Sequence, residues 1–314
     1  MSYIGLDVGG TNVRYGFSDS LDSIDLNCQK KPFVKIGIPH KEVEENICSI
    51  IDMTPGGVEG IGISLAAIMD RKTGKVKTWS NNPCWNHYEL IKYLSDRYNI
   101  PIVVEDDANC GAIGEYYSLS IPVKNMAYIT IGTGIGCGLI LNGSLFIGEN
   151  GFAGELGHVC IDSKTNDSIC SCGNKGCFQS LASGPAVLEE YNMTAKARLE
   201  SLKEVIELDE GKNLKSICLS NMISNISIVI YNLVMCLDIS MFVIGGGVSN
   251  IGSKFISNIE NKVKSRLKPF ERSVLIRKSW LGEYSGVHGA LQLLKDGLYK
   301  GDRYAKENCY YKRP

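Results

Sequence analysis

The sequence predicts an α/β protein of two similar lobes. Three observations carry this expectation. Short β-branched runs alternate with amphipathic helical stretches, the pattern of a layered α/β fold. The segments LDVGGTNVRYGF and TIGTGIGCGLI each read as strand, glycine/threonine turn, strand, so the second half of the chain restarts the pattern of the first. A length of 314 residues suits two domains and suffices for a large apolar core.

In chain order, Tyr3–Val8 and Val13–Ser18 read as strands around the turn Asp7-Val8-Gly9-Gly10-Thr11-Asn12. Phe33–Ile38 reads as a third strand. Glu42–Asp52 reads as a helix with apolar Val43, Ile47, Ile50 and Ile51. Val58–Leu65 is a buried strand, and Lys72-Thr73-Gly74-Lys75 marks a hairpin. Tyr88–Tyr98 is a helix and Ile102–Glu105 a strand. The helix expected over Asp106–Ser118 opens with carboxylates, which suits the positive end of a helix dipole. Met126–Ile131 and Cys137–Leu141 are strands, followed by the hairpin signal Asn142-Gly143. Helices are expected over Pro185–Tyr191, Ala195–Leu208, Leu214–Leu237, Gly252–Leu267 and Gly286–Leu298, and the strand Met241–Ile244 runs into Gly245-Gly246-Gly247. The expected division is an N-terminal lobe over 1–120, a C-terminal lobe over 121–300, and a tail, 301–314, with no clear period.

Composition excludes several classes. The 33 Lys+Arg balance 34 Asp+Glu, so no polybasic surface for nucleic acid or membrane is expected. A hydrophobic share of 44% argues against a disordered chain. No uninterrupted apolar run approaches the ~18 residues of a membrane span. The start MSYIGLDVGG lacks the basic-then-apolar pattern of a signal peptide, so a cytoplasmic protein is expected. Without an export signal, the 12 cysteines are expected as reduced thiols rather than a disulfide framework. Cys170, Cys172 and Cys177 stand apart because they fall in one short stretch.

Four clusters carry chemistry. The Asp7–Asn12 turn bunches backbone N–H groups into an anion-binding concavity, and Asp7 can hold Mg²⁺; a plain hairpin turn is the alternative. Gly132-Thr133-Gly134-Ile135-Gly136 makes the same offer from the second lobe, and Gly245-Gly246-Gly247 is a third glycine turn. Neither a dinucleotide fingerprint nor a GK[ST] loop is present, which disfavours a dehydrogenase. Glu105-Asp106-Asp107-Ala108-Asn109 follows a strand and opens a helix. It reads either as capping or as a cleft-wall general base for transfer of phosphate to a hydroxyl. His158 with Cys170, Cys172 and Cys177 makes a closed Cys₃His set, the ligand count of a structural Zn²⁺ site; four unrelated residues is the alternative. Glu155, just before His158, is a carboxylate able to reach a polyol.

Taken in order, DVGGTN, EDDANCGAIGE, ITIGTGIGCGLILNG, GELGH, CSCGNKGC and VIGGGVS resemble the motifs of the ROK sugar kinases, from Tyr3 to Leu294. The resemblance implies a two-lobed actin-like ATPase (ribonuclease H-like) fold with a nucleotide and sugar cleft between the lobes. It implies a homodimer that uses ATP and Mg²⁺ to phosphorylate a hexose or N-acetylhexosamine, usually at O6. Asp107 then matches the catalytic base. Asp7, Gly9, Gly10 and Thr11 match the first phosphate loop, Gly132, Thr133 and Gly134 the second, and Gly245, Gly246 and Gly247 the adenosine-side turn. Asn82, Glu155 and His158 match sugar contacts, with His158 also a zinc ligand beside Cys170, Cys172 and Cys177.

Three positions depart from the family pattern and are assigned to the sugar site with the rest. Asp106 stands where an Asn is usual, Gln179 where a Glu is usual, and Ala66-Ala67-Ile68 replaces Pro-Gly-Pro. One reading is drift, with Asp106 capping its helix. The other is altered substrate choice: adjacent Asp106 and Asp107 repel unless a cation lies between them. A free-amine hexosamine such as 3-amino-3-deoxyglucose supplies one, and N-acetylmannosamine is a further candidate. A sugar-responsive regulator is the reading from another class. It requires an N-terminal helix-turn-helix, for which the residues before Asp7 leave no room.

Overall fold

The computed structural model describes residues 2–10, 12–21, 26–32, 40–54, 56–70, 73–79, 83–162, 168–208, 213–300 and 310–312. The expected strand Phe33–Ile38, Thr11, Asn82 and most of the tail lie outside the described residues. The chain divides into two compact units, Met1–Ser120 with Leu145–Gly151 and Trp280–Pro314, and Ile121–Ser144 with Phe152–Ser279.

The first unit is built on β1 (Ser2–Val8), β2 (Asn12–Ser18), β3 (Asn27–Pro32), α1 (His40–Asp52), β4 (Val58–Leu65), β5 (Ile68–Asp70), β6 (Lys75–Thr78), α2 (Leu90–Tyr98), β7 (Ile102–Asp106) and α3 (Asp107–Tyr117). Its sheet has the order β13-β7-β4-β1-β2-β3, where β13 is the short tail strand Tyr310–Lys312. The β1–β2–β3 ladder is antiparallel, whereas β1, β4 and β7 run parallel. Those three strands are buried apolar runs, as parallel strands covered on both faces must be. Val43, Ile47, Ile50 and Ile51 of α1 and Leu90, Ile91 and Leu94 of α2 pack into this core.

The second unit contains β8 (Met126–Ile131), β9 (Ile135–Leu141), β10 (Ser144–Leu145, whose Leu145 falls in the first unit), α4 (Phe178–Ala182), α5 (Gly184–Ala195), α6 (Leu202–Glu207), α7 (Asn213–Leu237), β11 (Met241–Gly245), α8 (Ser253–Leu267) and β12 (Leu275–Lys278). The sheet order is β10-β9-β8-β11-β12. Here too an antiparallel hairpin, β8–β9, sits beside parallel strands, β11 and β12. The hairpin restart seen in the sequence is thus a restart of topology. Asn142 (φ 53°) and Gly143 (φ 79°) make the expected left-handed turn after β9.

Two expectations change. The helix expected over Ala195–Leu208 shrinks to the short α6, while the one expected over Pro185–Tyr191 extends to Ala195 as α5. Lys196 is left-handed (φ 50°) and ends α5. Ser201 then restarts the chain as α6 through a capping box: its Oγ accepts from Glu204 N (3.3 Å) and donates to the Glu204 carboxylate (2.8 Å). The segment after Ser279, placed in the second lobe by the sequence reading, belongs to the first unit. Its helix α9 (Ser285–Lys300) packs on α3, β1 and β4. The approach is backbone to backbone, since a Cβ at Gly62 would run into the Ala290 carbonyl and one at Gly289 into the Cys110 carbonyl.

Among the described residues one helix, Leu214–Leu237, is long and apolar enough to cross a membrane by length and composition. In the fold it is the core helix of the second unit, with Cys218, Met222, Ile226, Val229 and Ile230 buried against α4, α5 and α8.

Candidate active site

In the first unit the sheet register sets the site. Asp7 pairs with Ser64, and Ser64 with Glu105, so the carboxyl ends of parallel β1, β4 and β7 lie side by side. That edge is where ligands of parallel α/β sheets bind. Asp7 therefore ends β1 two strands away from Asp107, the first residue of α3. Ser64 Oγ donates to Asp7 Oδ1 (2.7 Å), and the Arg14 guanidinium lies 3.6 Å from Asp7 Oδ2. Burial pushes the Asp7 carboxyl above its usual range, with Ser64 and Arg14 pulling the other way. Beyond Asp7, Gly9 N donates to Asn12 O (3.1 Å) and closes the turn around Gly10.

The three acidic residues after β7 have separate environments. Glu105 is buried, and its Oε1 accepts from Asp106 N (2.9 Å) and Asn109 Nδ2 (3.0 Å). Asp106 is the N-cap of α3: its Oδ1 accepts from Ala108 N (3.0 Å) and Asn109 N (3.3 Å). The helix N-terminus therefore supplies the positive potential that offsets the Asp106 charge. Asp107 is half-buried at the first position of that helix. Ala67 is buried just past β4, with its N–H on the Leu65 carbonyl (2.6 Å).

In the second unit the Gly132-Thr133-Gly134 turn follows β8. Gly132 N donates to Gly134 O (2.9 Å), and Gly184 N, at the start of α5, donates to Gly132 O (2.9 Å). Gly245-Gly246-Gly247 follows the neighbouring parallel strand β11. Gly246 has φ 75°, and a Cβ there would collide with Ile131, so only glycine lets the two turns approach. A cavity of about 1040 Å³ opens beside Thr133, with Gln179, Ser183, Glu190 and Asn225 among its walls.

Glu155 is exposed and precedes the short 3₁₀ turn Leu156–His158. The ligand atoms of His158, Cys170, Cys172 and Cys177 all lie within 4.8 Å of one another. His158 Nδ1 is 3.5 Å from Cys170 Sγ, and Cys172 Sγ is 3.7 Å from Cys177 Sγ. A tetrahedron with ordinary zinc–sulfur and zinc–nitrogen bonds has S···N edges of about 3.6 Å and S···S edges of about 3.8 Å, and these two edges match it. The Asn174 N–H lowers the Cys172 thiol to about 6, which favours the thiolate a metal needs. Burial raises Cys177 to about 12.

Two further residues escaped the sequence reading. Buried Glu115 on α3 accepts from Trp280 N (3.0 Å), Leu281 N (3.1 Å) and Ser285 Oγ (2.8 Å), and so holds the start of α9. Gly286, in that first turn, lies under Asp7: a Cβ there would be 2.9 Å from Asp7 Cγ. The available signal was a lone acid in the apolar helical run Ala108–Ile113 and beyond.

The family model described as ROK family matches residues 3–297. A glucokinase of Halalkalibacterium halodurans is 27% identical, covering 93% of this chain and 94% of its own length. A xylose repressor of Caldicellulosiruptor bescii is also 27% identical, covering 94% of this chain and 75% of the repressor. A ROK family glucokinase from Streptomyces griseus, solved with glucose and AMPPNP, superposes with a TM-score of 0.79 at 26% identity, covering 95% of this chain and 100% of that one. The fold is thus the two-lobed actin-like ATPase fold.

Proposed function

Because the chain belongs to the ROK family, we propose that it is an ATP-dependent hexose kinase that transfers the γ-phosphoryl group to a sugar hydroxyl, O6 of glucose or a related hexose. The carrying observation is the sheet register that sets Asp7, near the end of β1, and Asp107, just past the end of β7, at the same edge of the parallel β1-β4-β7 strands. The names of the glucokinase relatives point the same way.

In this reading Asp107 accepts the proton of the attacking hydroxyl. Helix α3 fixes its position, and the buried Glu105–Asn109 pair holds the strand-to-helix corner rigid. The backbone N–H groups of the Gly9–Gly10 and Gly132–Gly134 turns stabilise charge on the phosphates. Asp7 would hold Mg²⁺, which neutralises phosphate charge when bound. His158, Cys170, Cys172 and Cys177 would hold Zn²⁺ with no open position, so its work is to shape the loop that presents Glu155 and His158.

The Asp106 cap supports a neutral hexose as substrate, because helix amides already offset that carboxylate. The test is a coupled kinase assay over glucose, mannose, N-acetylglucosamine, N-acetylmannosamine and 3-amino-3-deoxyglucose, with Asp107→Ala beside the parent. The expected result is kcat on a neutral hexose that falls about 10³-fold in Asp107→Ala, while calorimetric sugar binding persists. Preference for 3-amino-3-deoxyglucose that disappears in Asp106→Asn supports the amino-sugar reading instead. The repressor relatives favour one other outcome: sugar binding with no ATP turnover in the parent, which marks a sugar-responsive regulator.

A further inference from the structure

We infer that Gln179 is a positioning residue that couples the His158/Cys170/Cys172/Cys177 cluster to the Gly132–Ile135 turn, so that a metal bound in the cluster holds that turn in its anion-binding conformation. The inference rests on the reading of these two features as a metal site and a phosphate turn, and it gives Gln179 a task other than touching the sugar.

Four observations converge on this one side chain. Gln179 is the second residue of α4, and the N-cap of α4 is Cys177, so the cluster sets where the helix begins. Gln179 Oε1 accepts from Ile135 N (2.9 Å), the amide that follows the glycine turn. Its Nε2 donates to Ser171 Oγ (3.4 Å), and Ser171 lies between two of the cluster cysteines, with its Oγ 3.9 Å from Cys170 Sγ. Glycine backbone encloses the amide on two sides: a Cβ at Gly134 would lie 3.0 Å from Oε1, and one at Gly157 would lie 3.3 Å from it. Gly157 is also the residue before the ligand His158. One amide therefore spans the turn, the cysteine loop and the histidine loop, all within the second unit.

The chemistry at this position suits a neutral amide. One oxygen must accept and one nitrogen must donate at the same time, which glutamine does in a single group. A carboxylate would also accept from Ile135. It would, however, lose the N–H facing Ser171. Metal binding orders Cys170, Cys172 and Cys177, and Gln179 carries that order 44 residues back along the chain to the turn.

Hydrogen exchange on the Zn²⁺-loaded protein tests this without any turnover. Exchange at the Ile135 amide is expected to rise about tenfold in Gln179→Met, with Zn²⁺ content unchanged. Removing Zn²⁺ from the parent with a chelator is expected to raise it similarly, and to add little in Gln179→Met. Gln179→Glu is expected to keep Ile135 protected with Zn²⁺ bound, since a carboxylate also accepts from that amide. The KM for sugar is expected to change less than twofold in either variant. Unchanged Ile135 exchange in Gln179→Met, or in the metal-free parent, overturns the coupling. A raised sugar KM with normal exchange and normal nucleotide binding returns Gln179 to the sugar. If no ATP analogue binds at all, the kinase reading fails, while the exchange experiment still decides the coupling. If Gln179→Met does not fold, the parent with and without Zn²⁺ and Gln179→Glu carry the test.

Discussion

The two units share a topology and differ in what they bury. The first encloses the carboxylates Glu105, Glu115 and Asp296, and burial also weighs on Asp7. Among the described residues the buried polar groups of the second are the serines Ser183, Ser227, Ser249 and Ser279. Their glycine turns follow the same division. The Asp7 turn is anchored by charge, through Ser64 and Arg14, and Arg14 continues to Glu283, which also binds Lys30. The Gly132 turn is anchored by the Gly184 backbone N–H and by the neutral Gln179 amide. A turn that would face Mg²⁺ tolerates buried negative charge, because the cation offsets it when bound. The Gly132 turn, for which no such cation is proposed, is held without charge. The second unit's candidate source of polar order is instead the Cys₃His cluster.

That contrast can be broken from the second unit first. Chelating Zn²⁺ is expected to destabilise the second unit by several kcal/mol, since structural metal affinity is folding free energy. Hydrogen exchange resolved by peptide should show protection lost over 155–183, with β1, β4 and β7 unchanged. Equal loss in both units would mean that their stabilities are not separable in this way. The next largest effect is expected in the first unit. Glu115→Ala leaves the Trp280 and Leu281 amides without their acceptor and is expected to cost about 3 kcal/mol in urea unfolding. The counterpart is Ser227→Ala. Ser227 Oγ donates to the Ile223 carbonyl one turn back on α7, a carbonyl that the helix already uses. Its loss is expected to cost about 1 kcal/mol or less. A Ser227→Ala cost as large as that of Glu115→Ala would erase the distinction between the units.

Much of this plan was legible in the sequence because its causes are local. The β-branched runs around glycine turns, the Asn142-Gly143 hairpin and the clustered Cys170, Cys172 and Cys177 all announce themselves within a few residues. Asp106 was legible as one of two readings, a helix cap left by drift or a carboxylate that alters substrate choice; the structure shows it capping. What escaped was non-local. Nothing near Gln179 points to Ile135, and nothing near Glu115 points to Trp280 some 165 residues on. The place of α9 escaped for the same reason: its partners are the glycines of strands far back in the chain, and their meaning appears only when the backbones meet. The tail strand Tyr310–Lys312 pairs with β7 from the edge of the sheet, where a three-residue segment carries no readable alternation.

The smallest predicted effect concerns pH, and it falls on the first unit alone. His288 lies half-buried on α9, and burial lowers its pKa while the charge of Glu115 works in the opposite direction. The folded state therefore favours the neutral ring. Its contribution to stability is complete above the unfolded value of about 6.5 and is lost as pH falls through that value towards the lower folded pKa. Between pH 7.5 and 5.5, His288→Gln is expected to lose less stability than the parent, by under about 1 kcal/mol. The same balance makes a sharper prediction for the native protein. Glu115→Gln removes the carboxylate that raises His288, so the His288 ring should titrate at still lower pH in that variant. With only 4 histidines in the chain, NMR titration can follow the ring directly. A His288 pKa that rises in Glu115→Gln would show that the carboxylate is not what opposes burial, and the charged anchoring of α9 in the first unit would need another source.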